Sequence, residues 1–358
     1  MTRILASILA LSMTLSAIAQ PTRILVGTYT EGTPAEGVYL YSIDLETGEY
    51  TLLSKAASGN PSFVIASSDG EKAWSVNEFN DGREGLSSYT IDGDTVALLN
   101  SVTIPKDKVD GADPCNLLNT GDALLSSNYS GGTLTAFRLG EDGRIGELTQ
   151  HFGQEGAHMH CAVLSPDGKY IFAANLGNDC VHRFELGTDG MPLGEASIAW
   201  KNRSREKFGP RHMVLSPDGR FAYLLCELGD KLVVFNYSDG NLKPVQILTA
   251  YAGEGHGSAD IHLSPDGRFL YTSHRLKQDG LAVFSVNQRN GKVKAAGYQK
   301  TGKHPRNFAL SPDGRYLLCA CRDDNRIEIY SVDTQSGALT PTGKSIEVGA
   351  PVCVQFLP

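Results

Sequence analysis

The sequence predicts an all-β fold, and three observations predict it. Glycine is the compositional outlier, 39 of 358 residues, about 11% against a usual 7% or so, and it is spread along the chain. A four-residue turn, Ser-Pro-Asp-Gly, recurs at Ser165–Gly168, Ser216–Gly219, Ser264–Gly267 and Ser311–Gly314. The segments beside it are short, apolar and without helical period, as in Met213-Val214-Leu215 before one turn and Phe221-Ala222-Tyr223-Leu224-Leu225 after it. Proline at the first central position and glycine at the end suit a tight reversal between antiparallel strands.

Two degenerate copies, Ser67-Ser68-Asp69-Gly70 and Asn119-Thr120-Gly121-Asp122, extend the series. Its glycines at 70, 121, 168, 219, 267 and 314 are spaced by 51, 47, 51, 48 and 47 residues. Each unit continues with a third apolar segment, such as Leu232–Tyr237. A turn of the Asp239-Gly240 kind follows (also Asp142-Gly143, Asp189-Gly190 and Ser336-Gly337), then a weaker fourth segment. Four strands per unit of this length mark the blade of a β-propeller. About 339 residues beyond the N-terminal leader, at about 49 per unit, make about seven blades. Six turns are visible, so the seventh blade is expected from the chain ends. Gly349–Phe356 matches a first strand, as in Gly209–Val214. Arg23–Tyr29, Gly37–Leu45 and the segment from Tyr50 onward match the other three. The expectation is a seven-bladed ring of four-stranded antiparallel blades. Its C-terminal innermost strand joins the N-terminal strands and leaves no sheet edge open.

The leader reads as a signal peptide over residues 1–19. Arg3 supplies the positive start, the apolar run goes from Ile4 to about Ile18, and Ala17-Ile18-Ala19 is the cleavage pattern before Gln20. That run is shorter than a membrane-spanning helix needs, and no other segment is long enough. Residues 20–358 are then one exported domain, periplasmic or secreted. A 41% apolar content excludes general disorder. The net charge of −8, without a basic block, excludes a nucleic-acid surface. The seven cysteines (Cys115, Cys161, Cys180, Cys226, Cys319, Cys321 and Cys353) fall mostly inside apolar runs. They read as buried free thiols. No Cys-x-x-Cys or His-Glu-x-x-His spacing occurs, so no metal or cofactor is expected. Asp167, Asp218, Asp266 and Asp313 are expected to bond their own turns rather than calcium.

Polar residues gather at one address. The turn joining the first two strands lies at one end of a blade, so the start of strand one and the end of strand two meet at the other. Of nine histidines, His158, His160, His212, His256, His262 and His304 lie in or just before first strands, and His274 ends a second strand. Arg211 and Arg306 open first strands, each after a proline. Arg275 and Glu227 close second strands, with Glu78 and Asn175 as further candidates. Asp260 and Asn307 occupy the place that His212 holds in its own unit. The competing reading is that such groups tie neighbouring blades together.

Gly209-Pro210-Arg211-His212, the following Ser-Pro-Asp-Gly and then Cys226-Glu227-Leu228 resemble the seven-bladed propeller lactonase family. That family includes bacterial 6-phosphogluconolactonase and is similar to the fungal carboxymuconate lactonising enzymes. Ala157-His158-Met159-His160, Ala259-Asp260-Ile261-His262, Ser273-His274-Arg275 and His304-Pro305-Arg306-Asn307 carry the resemblance over essentially the whole exported chain. It implies a carboxylic-ester hydrolase with a site of His160 (His158 beside it), Arg211, Glu227 and Arg275.

Lactone hydrolysis needs a base for water, donors for the tetrahedral oxyanion and an acid for the leaving alkoxide. Glu227 or His160 takes the first role in this reading, and the other takes the last. Arg211 and Arg275 supply fork-shaped donors. His158, His212, Asp260, His262, Arg306 and Asn307 are expected to bind a small anionic lactone or sugar substrate. No Gly-x-Ser-x-Gly elbow offers a serine nucleophile. Two other classes compete: a non-catalytic exported propeller that binds a carbohydrate or envelope ligand, and a muconate-type cycloisomerase.

Overall fold

The structure, a computed structural model, describes residues 22–251, 253 and 256–358. The expected signal peptide, residues 1–19, lies outside the described residues. The described chain forms seven four-stranded antiparallel sheets. Blade 1 combines Pro351–Phe356 with Thr22–Thr28, Gly37–Ile43 and Tyr50–Ala57. Blade 2 is Val64–Ala66, Lys72–Asn77, Gly85–Asp92 and Thr95–Thr103. Blade 3 is Pro114–Asn119, Ala123–Asn128, Thr133–Leu139 and Ile145–Gly153. Blade 4 is Met159–Leu164, Tyr170–Asn175, Cys180–Leu186 and Leu193–Lys201. Blade 5 is Pro210–Leu215, Phe221–Cys226, Lys231–Ser238 and Asn241–Thr249. Blade 6 is Ser258–Leu263, Phe269–His274, Gly280–Val286 and Val293–Lys300. Blade 7 is Pro305–Leu310, Tyr316–Cys321, Arg326–Val332 and Leu339–Glu347. The only helix among the described residues is the short 3-10 turn Arg322–Asp324. None is long and apolar enough to cross a membrane.

The repeated turn works as its residues suggest. In Ser165–Gly168 the Gly168 N–H donates to Ser165 O at 2.9 Å, with glycine in the left-handed region (φ +68°) that side chains avoid. Ser165 Oγ donates to Asp167 Oδ1 and accepts from the Tyr170 N–H at 2.9 Å. Each aspartate thus bonds its own turn, and the same bonds recur at Ser216, Ser264 and Ser311.

There is no single core. Seven apolar layers lie between successive blades, and the last joins blade 7 to blade 1 through Leu318, Ile327, Ile24, Tyr41 and Val354. The first strands are neighbours around the ring. Closure therefore rests on strand pairing of Ile24 with Phe356 and Val26 with Val354. All seven cysteines are buried and unbridged.

One irregularity sets up the functional end. In six blades the register slips at the start of the first strand. Pro114 and Asn116, Met159 and Cys161, Pro210 and His212, and Pro305 and Asn307 take consecutive partners, so the residue between each pair is extra. Blades 1 and 6 slip in the same place. A bulge of this kind re-aims a side chain, and bulges gather at barrel rims. Here it turns two adjacent side chains toward the axis at different depths.

Candidate active site

The extra residues Cys115, His160, Arg211 and Arg306 line a cavity of about 280 Å³ at the mouth where first strands start. The residue after each second strand completes it. Glu78, Tyr129, Glu227 and Arg275 hold that place in blades 2, 3, 5 and 6, and Asp113 and Ser130 lie at the rim. The N–H of that residue bonds the carbonyl just ahead of the first strand: Glu227 to Gly209, Arg275 to Gly257, Tyr129 to Asp113 and Glu78 to Asn60. Asp179 fixes the blade 5 entry further, accepting from Phe208 N and Gly209 N. The chemistry-bearing side chains therefore stand on pinned backbone.

At the centre Glu227 lies between two arginines. Its Oε2 accepts from Arg211 Nε at 2.9 Å and its Oε1 from Arg275 Nη2 at 2.6 Å. Arg211 is 1% exposed and also donates to Ala259 O. Arg275 donates to Gly257 O at 3.2 Å and lies 3.4 Å from His304 Nε2. Burial acts to raise the Glu227 carboxyl, but Arg211, then Arg275 and Arg306, outweigh it and hold it below its ordinary value. Burial and the like charge of Arg211 push Arg275 down, against Glu227. A guanidinium carries five N–H groups, and these partners leave part of each fork for a ligand.

Arg306 is held more loosely. Its nearest anion is Glu78 at 3.7 Å, and it lies over the Tyr29 ring. Glu78 is itself occupied, accepting from Tyr29 Oη at 2.8 Å and from Ser62 Oγ. His160 faces the same cavity, packed edge-on to Tyr129. Its pKa lies well below the ordinary histidine value because burial, then Arg211 and His212, disfavour a further cation. The ring is therefore neutral.

The ten expected site residues divide. Glu227, His160, Arg211, Arg275 and Arg306 come together in this cavity. His158 does not line it: the ring stacks on Tyr129 with centroids 4.7 Å apart, and Nδ1 contacts Tyr129 O at 2.8 Å. The structure thus sets His158 against Tyr129 and outside the lining of this cavity. His212, Asp260, His262 and Asn307 also lie apart from it. They line a second cavity of about 350 Å³ with Asn116, Cys161 and Cys353. For His212 and Asn307 the bulge is the reason, since each follows an extra residue; Asp260 lies within the slip of blade 6, and His262 two residues beyond it. Asp260 is saturated by His212 Nδ1 (2.7 Å), His262 Nε2 (2.9 Å), Asn307 Nδ2 (2.6 Å) and the N–H groups of Ile261 and Phe308. That is an inter-blade tie. His274 is likewise buried between Ser258 and Thr272. Tyr29, Cys115, Asp113, Tyr129 and Ser130 escaped the sequence reading. Counting one residue past every second strand, the place of Glu227, finds both tyrosines.

Among the described residues no group of three or more His, Cys, Asp or Glu side chains is arranged to hold a metal ion.

The family described as "Lactonase, 7-bladed beta-propeller" matches residues 23–356. The 6-phosphogluconolactonase of Formosa agariphila is 32% identical over 349 residues, 92% of this chain and 98% of that protein. A crystal structure from Bacteroides fragilis superposes with a TM-score of 0.89 at 40% identity, covering 96% of this chain and 99% of that one. The periplasmic gluconolactonase of Pseudomonas aeruginosa does so with a TM-score of 0.87 at 30% identity, over 94% and 99%.

Proposed function

The chain belongs to the seven-bladed β-propeller lactonase family, and on that premise we propose that it hydrolyses a sugar lactone in the cavity of Arg211, Arg275 and His160. The observation that carries this reading is the Glu227 carboxylate gripped by two buried arginines beside a neutral histidine. Water attacks the lactone carbonyl carbon and gives its proton to His160. The carbonyl oxygen becomes an oxyanion, met by the remaining N–H groups of Arg211 and Arg275. Such donors act most strongly when they are fixed in advance, and Glu227 fixes both. The ring C–O bond then breaks, and His160 returns the proton to the leaving alkoxide. Glu227, held ionised by its arginines, is a poor base and has no proton to give, so His160 serves both proton steps. As the oxyanion forms, it offsets the cationic field that keeps the imidazole neutral, and the ring gains basicity when it is needed.

Arg306 takes the anionic substituent of the substrate in this reading, because it is the cation of the cavity with the weakest internal anchoring. The test is a panel of phosphorylated and unphosphorylated sugar lactones, followed by acid release. We expect turnover of a sugar lactone. Arg306→Ala should raise KM for a phosphorylated substrate by about tenfold or more and leave KM for its neutral counterpart within a factor of about two. Equal effects on both would remove Arg306 from that role. Binding without turnover across the panel would favour a binding module.

Export is part of the proposal, supported by the leader pattern at 1–19 and by similarity to a periplasmic relative. Secretion exposes thiols to an oxidising compartment, yet every cysteine is buried. The intact mass of protein recovered outside the cytoplasm, without reductant, should match a chain starting near Gln20 with no deficit for disulfides. A retained leader would overturn the export reading, and a deficit would overturn the free-thiol reading.

A further inference from the structure

The proposed proton-transfer histidine has a second histidine packed against it, which lines the other cavity. The His160 and His212 rings pack edge-to-face, with centroids 5.1 Å apart. His160 Nδ1 and His212 Nε2 are both buried, and neither has a hydrogen-bond partner among the described residues. Two orphaned ring nitrogens in adjoining buried rings need an account, since leaving such groups unpaired is costly. The opposite side of His212 is firmly set: its Nδ1 lies 2.7 Å from Asp260 Oδ1.

We propose that Asp260 and His212 form a relay that fixes the tautomer of His160, with His212 Nε2 accepting, through one bridging water, the Nδ1 proton of His160. The direction follows from Asp260. Burial acts against its charge, but His262 and His212 outweigh it and hold its carboxyl well below the ordinary range. An ionised carboxylate only accepts, so His212 Nδ1 carries the proton. Burial and Arg211 push His212 down to about 4, so the ring is neutral and Nε2 has a lone pair to offer. A neutral His160 that donates from Nδ1 must leave Nε2 bare, and a bare nitrogen is what a base requires. The bridging water keeps this polarity, accepting from one ring and donating to the other. His212 and Asp260 are thus positioning residues, in the sense in which a buried aspartate orients a catalytic histidine. This inference rests on the proposed role of His160 for its effect on rate, but not for the tautomer itself.

The test reads the tautomer directly. Nitrogen NMR of the ring-labelled full chain, with the His160 signals assigned by their loss in His160→Gln, should show the proton on Nδ1. In His212→Phe it should move to Nε2, and kcat should fall by about 10² while KM stays within about twofold. His212→Gln, whose amide oxygen can accept where Nε2 did, should recover much of the rate and the Nδ1 tautomer. A wild-type His160 protonated on Nε2 overturns the relay even if the phenylalanine variant does not fold, and so does a tautomer unmoved by His212→Phe. The expected tautomers in a protein that turns over no lactone would leave the relay standing and remove His160 as the base.

Discussion

Replacing Glu227 by glutamine should lower kcat/KM for the lactone by about 10² or more in a protein that still folds as the ring. The carboxylate is 19% exposed at its side chain, and its two oxygens serve two different arginines. Glutamine keeps the size but offers one acceptor and a repelling NH2. At least one guanidinium would lose its charge-assisted bond, and Arg211 and Arg275 would face each other with less anionic charge between them. Removing one partner of a buried ion pair costs about 3–5 kcal/mol. Here the cost falls on the forks that receive the oxyanion, so it is expressed in the rate as well as in a lower melting temperature. Acid release measured beside far-ultraviolet circular dichroism checks both. Unchanged turnover in the folded variant would take Glu227 out of the mechanism. The ring itself should survive, because blade 5 is pinned by Asp179 and by apolar layers on both faces, and Glu227 belongs to neither.

Much of this was legible in the sequence because a propeller repeats. The spacing of Gly70 through Gly314 gave the blades, and the unmatched ends, Gly349–Phe356 and Arg23–Tyr29, gave the closure. Repetition also made Arg211, Glu227, Arg275 and Arg306 recognisable as residues at equivalent addresses in different units. What the sequence hid was the bulge. A strand with period two puts neighbours on opposite faces, so the expectation that Arg211 and His212 share one site carries no backbone geometry that would bring both to the axis. An extra residue is a backbone event, and nothing in Met159-His160-Cys161 or Pro210-Arg211-His212 announces it. That slip separates His212 and Asn307 from the Arg211 and Arg306 that precede them: the arginines line one cavity, and His212 and Asn307 line another with Asp260 and His262. His158 was ambiguous for a different reason. It lies two residues from His160, on the same nominal face, and only the stacking on Tyr129 separates the two. Tyr129 went unnoticed because an aromatic residue after an apolar strand looks like core.

Acid should destabilise the protein well before its carboxylates titrate. Burial holds His160, His182, His212, His274 and His304 below the ordinary histidine value, with Arg211 also acting on His160 and His212, and Arg275 on His304; His212 is at about 4 and His274 and His304 are at about 3. In the unfolded chain each would titrate near 6.5. As pH falls through 6.5 the unfolded state binds protons that the folded state refuses, so stability is lost from there downward. At pH 5 the loss is about 2 kcal/mol for each of His212, His274 and His304, against a total stability of about 5–15 kcal/mol. His262 works in the opposite direction: burial acts to lower it, but Asp260 raises it above its ordinary value, so its contribution is present at low pH and lost as pH rises. One opposing group does not cancel five. The expected result is a melting temperature lower by on the order of 10 °C at pH 5 than at pH 7.5. Most of the fall should come between pH 6.5 and 5, above the range where ordinary carboxylates protonate. A melting temperature that stays flat to pH 5 would mean that these rings accept protons in place, and the same result would undercut the neutral His160 on which the proposed chemistry depends. The two properties have one origin. Burial keeps all five imidazoles uncharged, with arginines adding to it at His160, His212 and His304, and the same burial that leaves His160 unprotonated makes all of them a liability in acid.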